Sequence, residues 1–263
     1  MHILVIGASG RNGQLVVAEA LAREHPAHTV TALVRRTSPF PHHHHDERLT
    51  VVRGTPLDAT AVHEALHASP AAPLPDAIVI ALSQRRASDS PFARMSPDAS
   101  PTLMADALRT ILRVVQQTQQ QQQQQQQQWR PKLVVNSSQG VGDSWASMTA
   151  PVRWLFRWSN MRIALRDHAE VDGLVRSSGL DFVLARPPRL VDGPPPPPPP
   201  PPREQQQRHE HGPRHGPRLT VLPDNGEGCG WNPTATRAGL AAWMVDAVEV
   251  STWDGRAPVV IDT

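Results

Sequence analysis

Residues 2–22 read HILVIGASGRNGQLVVAEALA. The β-branched and aliphatic run 3–6 has the composition of a strand buried on both faces. It passes without a linker into three glycines, Gly7, Gly10 and Gly13, and then into a segment, 15–22, with helical spacing. Glycine between a strand and a helix permits a tight turn, close approach of the backbone to a pyrophosphate, and close helix–strand packing. The helix N-terminus adds free N–H groups and the positive end of a dipole. Gly13 is followed by Gln14, so the Lys-Ser/Thr pair of a P-loop is absent. A plain glycine turn with no ligand is the alternative. The position after a hydrophobic strand and before a helix favours the phosphate cradle.

Three tracts interrupt the rest of the chain: residues 38–48 (SPFPHHHHDER), the glutamines of 116–128 broken by Thr118, and the prolines of 194–202 with the polar stretch to 217. None carries the apolar content to join a core, and all three are expected to be surface insertions in a single domain spanning 1–263. With them set aside, strands and helices alternate. Strands are expected at 3–6, 28–34, 49–53, 77–82, 132–136, 182–185 and 258–261. Helices are expected at 15–22, 58–68, 101–115, 151–177 and 236–248, the long fourth one stopping at Gly179. Such alternation predicts a mostly parallel sheet with helices on both faces, a doubly wound α/β fold.

Composition excludes several classes. The formal net charge is +2, and lysine is nearly absent, so no basic stripe points to nucleic acid. No apolar run approaches the roughly 20 residues of a membrane span, and no membrane partner is expected. The one cysteine, Cys229, excludes an intrachain disulfide and suits a reducing compartment. A first strand beginning near His2 leaves no room for a targeting peptide, which makes the cytoplasm the expected location.

The second strand ends in TALVRR. A site for NAD places an acid here for the ribose hydroxyls, whereas one for NADP uses arginine. Arg35 and Arg36 stand there with no adjacent acid, and a guanidinium grips a 2′-phosphate through paired donors. NADP(H) is the expected cofactor.

GASGRNG, LVRR, KLVVNSSQG and RDHAEVDGLVRSSGLDFVLARPPRL together resemble the atypical short-chain dehydrogenase/reductase group, nearest its NmrA-like and biliverdin reductase B (flavin reductase) types. The likeness runs from Met1 to about Asp192 and more faintly through residues 236–248. It implies a Rossmann-type sheet with a small C-terminal substrate region. By position, Gly7, Ser9, Gly10, Arg11, Asn12 and Gly13 would hold the pyrophosphate, and Arg35 and Arg36 the 2′-phosphate. Ala81, Leu82 and Ser83 would flank the nicotinamide ribose. Ser137 and Ser138 would lie beside the nicotinamide, with Pro187 near its carboxamide. One departure is Gly54-Thr55, where the family often has Gly-Asp facing the adenine.

The chain contains no tyrosine, so the Tyr-x-x-x-Lys proton donor of ordinary short-chain dehydrogenases is impossible. Aligned on Glu170, Arg162 and Arg166 take those two positions, and arginine does not act as an acid near neutral pH. Ser138 is the first polar candidate for catalysis, with backbone capping as its structural alternative. His168 is the second, on an inward stripe with Met161, Ala164, Val171 and Val175. Asp172, one turn away, is expected to orient it. A satisfied core histidine is the alternative. Trp145, Trp154, Phe156 and Trp158 are read either as walls of a pocket for a planar acceptor or as helix packing. Cys229 lacks a nearby base, and four consecutive histidines, His42–His45, make a poor closed metal site, so no metal is expected.

Two functions remain. One is an NADPH-dependent reductase of a planar or aromatic small molecule. The other is a non-catalytic NADP(H)-sensing regulatory protein, whose polyproline tract would present a stiff ligand to a protein partner. Because doubling a loop costs only about 0.6 kcal/mol, deleting residues 119–127 is expected on these grounds to leave stability unchanged.

Overall fold

The computed structural model describes residues 1–35, 46–70, 74–84, 88, 90–96, 100–193 and 219–262. Six parallel strands form the central sheet: β1 (His2–Ile6), β2 (Thr29–Val34), β3 (Leu49–Arg53), β4 (Ala77–Ile80), β5 (Lys132–Asn136) and β6 (Phe182–Ala185), in the order β3-β2-β1-β4-β5-β6. This is the order of a Rossmann fold, with its direction reversing between β1 and β4. Strands β1 and β4 are buried along their whole length, as their unbroken aliphatic sequences require.

Helices cover both faces. On one, α1 (Arg11–Ala22) and α6 (Arg237–Glu249) pack together over Val5, Val30 and Val79. Their seam is closed by Arg23, which donates to Glu19 and Asp246 and pairs with Glu249; the buried His28 pairs with Glu249 as well. On the other face α2 (Ala59–His67), α3 (Leu103–Gln124) and α5 (Met161–Ser177) cover Leu4, Ile78 and Leu133. Asp58 caps α2 by accepting from the Thr60 amide at 2.9 Å. A distant side chain does the same for α3: Asp167 of α5 accepts from the Met104 and Ala105 amides at 3.0 and 2.9 Å. Burial nevertheless raises the Asp167 pKa, against the opposing pull of those two amides.

Three expectations change. The helix expected at 101–115 runs on to Gln124, because glutamine is a good helix former and the tract continues an established helix. Thr118 is buried within the tract, and Gln119 Nε2 donates to the Trp129 carbonyl at 3.1 Å. Deleting residues 119–127 therefore removes helical turns and a tertiary bond, not slack loop. We expect a loss of about 1 kcal/mol, a fall of roughly 2–4 °C on thermal denaturation. An unchanged melting temperature would show that the tract packs on nothing of consequence.

The long helix expected over 151–177 is two helices, α4 (Ala150–Trp158) and α5, broken at Ser159. Asn160 makes the break: its amide donates to the Pro91 carbonyl and its Nδ2 to the Phe92 carbonyl, tying this joint to the segment after β4. Lastly, the tract at 38–48 ends inside the sheet edge, where the Val30 amide donates to the Arg48 carbonyl at 2.7 Å. His42–His45 and the proline tract lie outside the described residues.

The C-terminal region adds two small sheets. β7 (Arg189–Val191) pairs with β9 (Thr234–Thr236), and β8 (Leu219–Leu222) with β10 (Val259–Asp262). The approach to β10 also runs beside β6, where the amides of Leu184 and Arg186 donate to the carbonyls of Arg256 and Pro258. No helix among the described residues is long and apolar enough to cross a membrane.

Candidate functional site

The carboxyl ends of β1, β4, β5 and β6 converge at one edge of the sheet. Gly7 leaves β1 with φ +80°, a left-handed conformation that favours glycine, and its carbonyl accepts from the Gly10 amide at 2.9 Å. A Cβ on Gly7 would lie 3.0 Å from the Ala81 carbonyl oxygen at the end of β4. A Cβ on Gly13 would lie 2.2 Å from the Gly7 carbonyl oxygen. Gly7 and Gly13 are therefore steric requirements of the turn and not a compositional accident.

Gly10 is the N-cap of α1. No side chain caps this helix and no acid lies in its first turn. Ser9 and Asn12 are half-buried, and Arg11 and Gly10 are exposed. An anion at this terminus would meet amide donors with no carboxylate in the first turn of the helix to compete. Arg35 is exposed immediately after β2. Arg36 lies outside the described residues. Gly54 closes β3 against β2, donating to the Val34 carbonyl at 2.8 Å. A Cβ there would strike the Ala61 Cβ at 2.4 Å, so this glycine serves the packing of α2.

The other half of the edge comes from β4, β5 and β6. The Ala81 amide donates to the Ile6 carbonyl at 2.9 Å and extends the pairing of β1 with β4. Leu82 is half-buried and Ser83 exposed. The Ser137 amide donates to the Ala185 carbonyl at 2.7 Å and the Gln139 amide to the Pro187 carbonyl at 2.9 Å, which brings Ser137, Ser138 and Pro187 together. The two serines differ. Ser138 Oγ donates to the Gln139 carbonyl at 3.0 Å, the local role that its alternative reading anticipated. Ser137 Oγ and Asn136 Oδ1 are buried with no hydrogen-bond partner. Buried polar atoms without partners are costly, and they cluster where a ligand is to be met.

His168 does face inward, onto a small cavity lined by Ile80, Leu82, Met104, Leu108, Val135, Asn136 and Val171. Its expected partner does not hold it. Asp172 accepts from Arg186 Nη2 at 2.8 Å and from Arg176 Nε at 2.6 Å, and His168 Nδ1 is buried without a partner. Two guanidiniums satisfy the carboxylate better than a neutral ring does. Desolvation pushes the His168 pKa down to about 4.

A lowered folded pKa has a definite sign. The fold favours the neutral ring, so its stabilisation is complete above the unfolded value near 6.5 and is lost as pH falls from there towards 4. We expect stability to drop over that window by at most about 3 kcal/mol, and His168→Gln to flatten the dependence in urea titrations. A wild-type slope retained by the variant would place the titration elsewhere.

The residues after β5 carry a second set of contacts. Gln139 Nε2 donates to Ser147 Oγ at 2.9 Å and to Cys229 Sγ at 3.3 Å. Burial raises the Cys229 thiol pKa, and the Gln139 donor opposes it. Among the described residues no basic group activates this sulfur. Neither reading of the aromatic residues, pocket wall or helix packing, fits Trp154 and Trp158, which are 62% and 71% exposed; Trp145 lies under the Arg157 guanidinium at 5.6 Å. Arg162 and Arg166 are exposed on α5, and Glu170 pairs with Arg109.

Sequence reasoning singled out neither Asn136 nor Arg186. Asn136 follows the aliphatic run 133–135 of β5, and Arg186, 1% exposed, directly follows β6. A polar residue at the carboxyl end of a buried strand was the available signal.

A family profile described as NAD(P)H-binding matches residues 7–249. The chain belongs to the NAD(P)H-binding family. The match spans both halves of the edge just described, from Gly7 to Pro187. No curated protein matches the chain. Solved structures share its fold at low identity. ChuY, an anaerobillin reductase from Escherichia coli O157:H7, is 16% identical with a TM-score of 0.64, covering 100% of this chain and 97% of its own. A short-chain dehydrogenase/reductase from Veillonella parvula, solved in complex with NADP, is 14% identical with a TM-score of 0.64, covering 98% and 93%. A protein from Streptococcus pneumoniae TIGR4, provisionally named an NADH-flavin reductase, is 13% identical with a TM-score of 0.61, covering 100% of both.

Proposed function

We propose that this member of the NAD(P)H-binding family is an NADPH-dependent oxidoreductase of the cytoplasm that transfers hydride to a planar or aromatic small molecule such as a flavin, a quinone or a bilin. The carrying observation is the absence of a proton donor where ketone reduction needs one. The chain has no tyrosine, and His168, the one ionisable side chain on the cavity beside β4 and β5, is held neutral by burial. A conjugated acceptor that can draw its proton from solvent suits such a site. The names of the reductases from Escherichia coli and Streptococcus pneumoniae point the same way.

The residues fit the cofactor. Gly7 and Gly13 let the turn close tightly on β1 and the end of β4, and with glycine as its N-cap α1 would present its first-turn amides to the pyrophosphate. Arg35, with Arg36 beyond it, would hold the 2′-phosphate. Ala81, Leu82 and Ser83 would border the ribose, with Ser137 and Asn136 offering unpartnered oxygens to the carboxamide end and Pro187 beside them. Bound there, NADPH supplies a hydride. The protein orients it, and the proton comes from solvent. Steady-state NADPH oxidation with a panel of flavins and quinones tests the reading. In that assay His168→Gln is expected to change turnover less than about threefold, against the 10²–10⁴-fold typical of a lost general acid.

Cofactor choice has its own test. A charge-assisted hydrogen bond contributes about 1.5–3 kcal/mol, roughly ten- to a hundredfold in affinity. NADPH is expected to bind more tightly than NADH by that factor. Arg35→Ala is expected to erase most of the preference by weakening NADPH alone. Calorimetric titration of both dinucleotides checks it, and equal affinities in the unmutated protein would refute the 2′-phosphate assignment.

A further inference from the structure

Helix α4 buries none of its nine residues. Its outward stripe carries Trp154 and Trp158, one turn apart and 62% and 71% exposed. Phe92, 63% exposed, sits on the turn that Asn160 ties to the end of α4. Three large rings therefore stand in solvent on segments that meet at the α4–α5 joint, where a folded chain ordinarily hides them.

Along α4 and the start of α5 the charge has one sign. Residues 144–166 contain four arginines and no aspartate or glutamate. Arg94, Arg157 and Arg162 are exposed next to the rings, and none of them has a carboxylate partner among the described residues. Exposed tryptophan and phenylalanine bordered by unpaired arginine is the composition of a helix that lies in a lipid–water interface. Indole rings suit the headgroup level, and arginine meets anionic headgroups.

We propose that this face docks the protein on the surface of an anionic lipid bilayer. A second copy is a poor occupant, because a two-fold contact would set the arginines of α4 against their own copies. The absence of a membrane span, on which the expectation of no membrane partner rested, does not bear on surface docking. The proposal stands without the assignment of NADPH or of the acceptor.

The test is co-sedimentation of the full chain with vesicles of phosphatidylglycerol and phosphatidylcholine in equal parts, and with phosphatidylcholine alone. Binding to the mixed vesicles, weakened by salt, is expected. The pair Trp154→Ser and Trp158→Ser is expected to lower the partition coefficient at least about tenfold. Arg157→Gln and Arg162→Gln are expected to lower it about fivefold each. NADPH affinity of these variants should equal that of the parent, which separates a failed docking proposal from a failed fold or cofactor reading. No sedimentation with the mixed vesicles overturns the proposal. So does equal retention of the tryptophan pair, self-association that the pair abolishes, or capture of a single-stranded oligonucleotide in place of vesicles.

Discussion

Gly13→Ala is expected to abolish measurable dinucleotide binding and to destabilise the fold. The added Cβ would lie 2.2 Å from the Gly7 carbonyl oxygen and 2.8 Å from the Ala8 Cα. Both are backbone atoms, and Gly7 is itself pinned between the Gly10 amide and the end of β4. Relief requires the first turn of α1 to move off the strand, which overpacking data put at about 1–3 kcal/mol. The same movement carries the helix amides away from the pyrophosphate. The loss of one or two charge-assisted bonds gives about a hundredfold or more in affinity. Gly173→Ala is the matched control. It lies in α5 with nothing within 4 Å of its would-be Cβ, and is expected to stabilise by about 0.5–1 kcal/mol. Urea denaturation and calorimetry on both variants decide the matter: a Gly13→Ala protein that binds NADPH at parental affinity would mean the glycine turn is not the cradle.

That turn was legible in the sequence because its constraints are local. A buried parallel strand reads as a continuous aliphatic run, and a strand–glycine–helix junction fits in about a dozen residues. For the same reason β3, β5 and β6 carry the bounds the sequence predicts. What was not legible depends on partners far along the chain. The periodicity of residues 151–177 continues through Ser159, and nothing in it reports that Asn160 will be drawn to the Phe92 turn. The glutamines of α3 look like loop by composition, though their backbone propensity is helical. β7, β8 and β9 span only three or four residues each and are mostly half-buried, too short for a period to register. In the candidate site, geometry separated Ser137 from Ser138, which the motif treats as equals. The pairing expected of His168 with Asp172 failed because i, i+4 spacing counts neighbours on one helix and omits Arg186, fourteen positions away on the next strand end.

That arginine sets the other large effect. Arg186 is 1% exposed; its Nη2 donates to Asp172 Oδ2 at 2.8 Å, its Nη1 donates to the Asp224 carbonyl at 3.1 Å, and its Nε has no partner. Asp172→Ala leaves the guanidinium buried with one carbonyl for company. Breaking such a pair from one side costs about 3–5 kcal/mol, because the remaining charge keeps its desolvation penalty and loses its compensation. For a chain of this size that is a fall of roughly ten degrees in Tm. Adding Arg186→Met to Asp172→Ala is expected to recover most of the loss, since an apolar side chain of similar length leaves no charge to solvate. The recovery distinguishes an uncompensated charge from simple loss of packing, which the second substitution would deepen. Urea unfolding of the two single variants and the double variant closes the cycle. A cost below about 1 kcal/mol for Asp172→Ala would place the pair among ordinary surface bridges, and the α5–β6 joint would then be held by its apolar contacts, Val171, Val175 and Leu184 among them.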